Sequence, residues 1–85
     1  MILSTDIQKR IEQSLQGAKV TVTDLTGTSD HFQVTVVCPA FEGKSMLNQH
    51  RIVKALFDKD IASGVLHALS LKTFTPTEWA KKGLN

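Results

Sequence analysis

The stretch Cys38–Ser45 reads CPAFEGKS, and its ending, Gly43-Lys44-Ser45, matches the close of a phosphate-binding loop. That pattern, G-x-x-x-x-G-K-[ST], needs its first glycine at the position held by Cys38. Pro39 further removes a backbone N–H from a loop whose purpose is to aim N–H groups at phosphates. A nucleotide-binding fold built on this loop is excluded. The stretch reads instead as a strand end followed by a turn into a helix. Phe32, Val34, Val36 and Cys38 share one face of a strand, with His31, Gln33 and Thr35 on the other. Pro39 ends that strand, and Ser45 is placed to cap a helix from Met46 to Phe57. In that helix Met46, Val53 and Phe57 fall on one side, and Gln49, Arg51 and Lys54 are more exposed.

Upstream, Ser4 or Thr5 is placed to cap a first helix whose Ile7, Ile11 and Leu15 recur every fourth residue. Gly17 stands where a helix ends. From Ala18 the period changes to two, with Val20 and Val22 between Lys19, Thr21 and Thr23, the pattern of a half-buried strand. Thr26–Asp30, TGTSD, has turn composition, so the first two strands form an antiparallel hairpin.

Downstream, KDIASGV supplies a short helix or turn that ends at Gly64, and Leu66–Thr73 returns to strand spacing. Thr75-Pro76-Thr77-Glu78 combines an N-cap, proline at the first helical position and a glutamate three residues on, so a last helix begins there and contains Trp79. The order is α-β-β-α-α-β-α. Strand two reaches strand three through helices, which favours a parallel crossover. An α/β domain spanning residues 1–85 follows, with helices packed on a three-stranded mixed sheet.

Composition sets the outer limits. Hydrophobic content of 41% and charged content of 21% argue against a disordered chain, and 85 residues suffice for one modest core. The net charge of +2 neither requires nor excludes nucleic acid. The single cysteine rules out an internal disulfide, and it cannot alone furnish the thiolates of a zinc ribbon or a ferredoxin-type cluster. The opening MILSTDIQ has no basic and apolar leader pattern, which points to a cytoplasmic protein. No apolar run approaches the roughly 18 residues of a membrane span.

Parallel strands that each begin near a histidine have a geometric consequence. His31 opens strand two and His67 lies at the start of strand three, so both fall at one end of the sheet. Neighbouring strands run about 5 Å apart, close enough for two imidazoles to share a ligand. Alternation, however, groups His67 with Leu69 and Leu71 and puts His31 on the polar face. The residues alone leave open a ligand pair or two unrelated histidines. Cys38, in phase with Phe32, Val34 and Val36, reads as a buried apolar group at the opposite end of its strand. His50 and Arg51 sit mid-helix, and Lys81, Lys82 and Gly83 form a basic helix end. No spacing announces a nucleophile with its base, so the chain does not read as an enzyme.

The blocks FEGKSMLNQHRIV and HALSLKTFTPTEW resemble the two signature blocks of the BolA family. Phe41, Gly43, Ser45, His50, Arg51 and Val53 match the first, and His67, Ala68, Thr75, Pro76, Glu78 and Trp79 the second. SDHFQV adds a third match, with His31 in the loop before strand two. The resemblance covers nearly the whole chain. It implies a type II KH-like fold, although the G-x-x-G loop by which KH domains grip nucleic acid is absent, since no glycine stands three positions from Gly43. It also implies a non-enzymatic partner of a monothiol glutaredoxin, the two proteins being bridged by a [2Fe–2S] cluster. Thiolates then come from the glutaredoxin and from glutathione, and the metal ligands of this chain are His67 and His31. An alternative role attributed to such proteins is DNA-binding transcriptional regulation. It would use His50, Arg51, Lys54 and Lys44 on or near the central helix, where Asp58 and Asp60 interrupt the basic run.

Overall fold

The computed structural model describes residues 2–25, 27 and 31–82. Its elements are α1 (Ser4–Ser14), β1 (Lys19–Asp24), β2 (His31–Val37), a single 3-10 turn (Pro39–Phe41), α2 (Met46–Ala55), α3 (Asp58–Ala62), β3 (Ala68–Phe74) and α4 (Pro76–Lys81). This is the order that periodicity predicts. Most of the TGTSD turn, Thr26 and Thr28 to Asp30, and Gly83 of the basic helix end lie outside the described residues.

The sheet runs in the order β1-β2-β3, with β1 antiparallel and β3 parallel to the central β2. Its register explains the core. Val20 faces Val36, Val22 faces Val34, Phe32 faces Leu69 and Val34 faces Leu71, so all these side chains fall on one face. Ile7 and Ile11 of α1, Val53 of α2, and Phe41, Phe57 and Leu66 from the connections pack against that face. Phe32, Phe41 and Phe57 are essentially fully buried, and burial of a side chain of this size stabilises the fold by about 1.5–3 kcal/mol. The opposite face carries Thr21, Thr23, Gln33, Thr35, Ser70 and Lys72, all exposed or half-buried.

Cys38 lies just past β2 with no exposed surface, as its phase predicts. Its N–H donates to the Phe74 carbonyl at 3.1 Å, prolonging the parallel ladder by one residue. Gly17 follows α1 at φ +80°, a left-handed conformation that residues with side chains rarely adopt.

Three expectations are corrected. The N-cap of α1 is Leu3, ahead of both Ser4 and Thr5. The Leu3 carbonyl accepts from the Asp6 and Ile7 N–H groups, and the Leu3 N–H donates to Asp6 Oδ2 at 2.9 Å, so a carboxylate caps the helix from its first turn. In α2 it is Gln49 that is buried, whereas Met46 is 67% exposed. Helical phase puts both near the inner side, but Met46 is the first helical residue and projects beyond the packed interior. The helix also stops at Ala55, so Phe57 reaches the core from the N-cap of α3 rather than from α2.

Candidate functional site

The loop that resembles a phosphate cradle has a different use. Gly43 adopts φ +77°, the Lys44 N–H donates to the Phe41 carbonyl at 3.0 Å, and Ser45 Oγ accepts from the Asn48 N–H at 3.2 Å. Gln49 completes the turn from inside. Its Nε2 donates to the Lys44 carbonyl at 2.8 Å and approaches the Phe41 carbonyl at 3.5 Å. The backbone is thus turned inward onto its own helix, which sets the direction of α2.

At the far end of the sheet, the parallel register pairs His31 with Ala68, placing His67 one residue earlier. The two imidazoles come together there, with ring centres 6.3 Å apart and planes inclined by 48°. Ala68, directly beside His31, offers only a methyl group and leaves the histidine ring room to lean across. Both histidines are exposed. Alternation alone would send them to opposite faces, but β3 begins at Ala68, so His67 is outside the pleat and its direction is not bound by it. Cys38 stands beyond the other end of β2, as its position in the chain predicts.

The donor chemistry fits an iron–sulfur cluster held from one side. An imidazole nitrogen bonds a metal at about 2 Å, and ring centres 6.3 Å apart leave space for one ion between them. A pair of histidines replaces two thiolates on one iron in some [2Fe–2S] centres. Among the described residues no group of three or more His, Cys, Asp or Glu is placed to hold a metal ion. Among the described residues the pair supplies two donors toward such a site.

His50, Arg51 and Lys54 gather elsewhere. With Leu47 they form the helical wall of a cleft of about 380 Å³ whose other wall is Leu69 and Leu71 of β3. Lys44 is exposed in the loop before α2 and does not line this cleft. Sequence reading singled out the cations and missed Leu47 beside them. The signal was present in the i, i+3, i+4, i+7 spacing of Leu47, His50, Arg51 and Lys54. A second cleft, of about 410 Å³, opens between α1 and α3 and is lined by Arg10 and Asp60. Arg10 pairs there with Asp60, donates to the Leu56 carbonyl at 3.2 Å and lies 4.9 Å over the Phe57 ring.

At the end of the chain, Thr75 Oγ1 accepts from the Glu78 N–H at 3.0 Å while Glu78 Oε1 accepts from the Thr75 N–H at 2.9 Å. This is the reciprocal cap that the sequence predicts. The hydrogen bonds from Thr75 hold the Glu78 carboxyl below the usual glutamate range, helped by Lys82 and Lys81. No helix among the described residues is long and apolar enough to cross a membrane.

Comparison with known proteins gives a consistent result. The family described as BolA-like protein matches residues 7–78. A BolA-like protein of Dictyostelium discoideum is 44% identical over 65% of this chain, and the match spans about half, 48%, of that protein's length. BolA-like protein 2 of Homo sapiens is 35% identical over 89% of this chain and 88% of its own. Among solved structures, a BolA protein homologue from Coxiella burnetii superposes with a TM-score of 0.78 at 37% identity, covering 94% of this chain and 99% of the other.

Proposed function

This chain belongs to the BolA family, and we propose that it is a non-enzymatic, cytoplasmic adaptor that shares a bridging [2Fe–2S] cluster with a monothiol glutaredoxin and glutathione, in cluster assembly and trafficking or in iron sensing. The observation that carries this reading is the meeting of His31 and His67 at one exposed sheet end, 6.3 Å between ring centres. Two exposed imidazoles side by side, with no group of three or more metal-binding side chains among the described residues, suit a site completed by a second protein. The single cysteine is buried at the other end of β2 and so is not available to compete.

His67 and His31 would hold one iron of the shared group. When bound, the cluster supplies one-electron chemistry and a transferable iron–sulfur unit. The contribution of this chain is ligand choice and placement. An imidazole nitrogen ligates a metal only in its deprotonated form, as a thiolate does. Exposure lets a partner approach without rearrangement of the core.

The alternative, a DNA-reading α2, rests on Arg51 and Lys54 with His50 and Lys44. It would show a steep salt dependence, log K falling with a slope of roughly −2 to −3 for so few phosphate contacts. The exposed leucine among those cations favours a protein surface over a duplex groove.

The test is anaerobic reconstitution with a monothiol glutaredoxin, glutathione, iron and sulfide, followed by visible absorption and circular dichroism. Addition of this chain should produce a spectrum distinct from that of the glutaredoxin alone. His67→Ala should abolish that difference and His31→Ala should shift or weaken it. An unaltered spectrum on adding the unsubstituted chain overturns the proposal.

A further inference from the structure

The cleft between α2 and the sheet margin is lined by neither His31 nor His67 and has the parts of a peptide-docking groove. Leu47, 59% exposed, stands on its helical wall with Arg51 and Lys54, and Leu69 and Leu71 form the facing wall. None of the residues lining the cleft is acidic. Exposed apolar side chains rimmed by charge of one sign mark an interaction surface rather than a solvated helix face.

The strand beside this groove is also incomplete. β3 stands last in the sheet order, so among the described residues no strand lies along its outer edge. Edge strands are commonly protected by proline, by bulges or by charged side chains. β3 pairs with β2 in unbroken register from Ala68 to Phe74, without proline or bulge, and its one lysine, Lys72, lies on the sheet face opposite Leu69 and Leu71.

We propose that this groove docks an extended acidic segment of a partner protein, added as a further strand along the outer edge of β3. Backbone pairing with β3 supplies affinity, and apolar side chains at alternate positions of the segment rest on Leu47, Leu69 and Leu71. Its carboxylates meet Arg51 and Lys54, which steers acidic segments in and keeps basic ones out. A helical ligand would leave the β3 edge unpaired, and duplex DNA would leave the leucines in water, so the extended peptide uses the most of what the groove presents. β1, the other edge strand, places exposed Lys19, Thr21 and Thr23 along its length. The proposal does not rest on His31 or His67.

The test titrates the isotope-labelled chain with a nine-residue peptide of alternating leucine and glutamate, with amide hydrogen exchange as the readout. Binding should slow exchange at alternate residues of β3. The doubly substituted chain, Arg51→Glu with Lys54→Glu, changes two exposed positions and should melt as the unsubstituted chain does. It should bind the acidic peptide about tenfold more weakly, and a leucine–lysine peptide should restore binding to it. His67→Ala should bind the peptide unchanged, which separates this groove from the cluster reading. Unprotected β3 amides overturn the proposal, as does a duplex oligonucleotide that binds through Arg51 and Lys54 where the peptide does not.

Discussion

The imidazoles of His31 and His67 stand with their ring centres 6.3 Å apart because β2 and β3 run parallel and begin together. Antiparallel pairing would have put them at opposite ends of the sheet. The strand direction follows in turn from α2 and α3, which carry the chain back to the starting end of the sheet before β3 begins.

The pair should therefore chelate. In NMR spectra of the free protein, copper(II) is expected to broaden signals around His31 and His67 together, at a lower concentration than those around His50. His31→Ala should weaken the site by at least about tenfold, because a bidentate ligand becomes monodentate. Stability should change by no more than about 0.5 kcal/mol, since both rings are exposed. Broadening centred on His50, or unaffected by His31→Ala, would show that the rings do not act as a pair.

Gln49 ties the α2 N-terminus to the loop before it. Gln49→Leu keeps the apolar bulk of the side chain but removes the donor to the Lys44 and Phe41 carbonyls. A loss of about 1–3 kcal/mol follows in denaturant unfolding, with an unchanged slope. A neutral or stabilising result would mean that the amide is only filling space.

Thr73 presents the opposite case. It is 5% exposed, shares the core face with Val36, and its hydroxyl has no hydrogen-bond partner among the described residues. Thr73→Val replaces an unpaired buried hydroxyl with a methyl of the same shape, so the protein should gain about 1 kcal/mol and melt roughly 4–8 °C higher. A lower melting temperature would reveal a partner for this hydroxyl in solution.

Glu78 links the last helix to pH. Its carboxyl is held below the ordinary value by the Thr75 N–H and hydroxyl. A lowered folded pKa means that the ionised form supports the cap. This contribution is complete at neutral pH and is lost as pH falls past the ordinary glutamate value and through the lowered one. Glu78→Gln should melt below the parent at neutral pH and converge with it in acid, which a pH series of thermal melts would show. A constant gap would assign the effect to packing instead.

Much of this was legible beforehand. Val20 and Val22 alternating with Lys19, Thr21 and Thr23 placed β1 and its inner face, and Thr75 with Glu78 announced the α4 cap, because each is a local device whose partners lie within a few residues. Gln49 was not legible. An amide at a core-facing phase reads as exposed until the two carbonyls that satisfy it are folded over it, and these come from a turn whose shape depends on Gly43 and on the packing of Phe41.

The sequence by itself determined the elements, their order, the buried side of the sheet and the family, since periodicity, caps and signature residues are all properties of the chain read in line. Only the tertiary structure decided that His31 and His67 meet, that Leu47 shares a groove with Leu69 and Leu71, and that β3 stands last in the sheet beside them. These are relations between segments distant in sequence, set by strand register and by where β3 begins, and no local interaction encodes them.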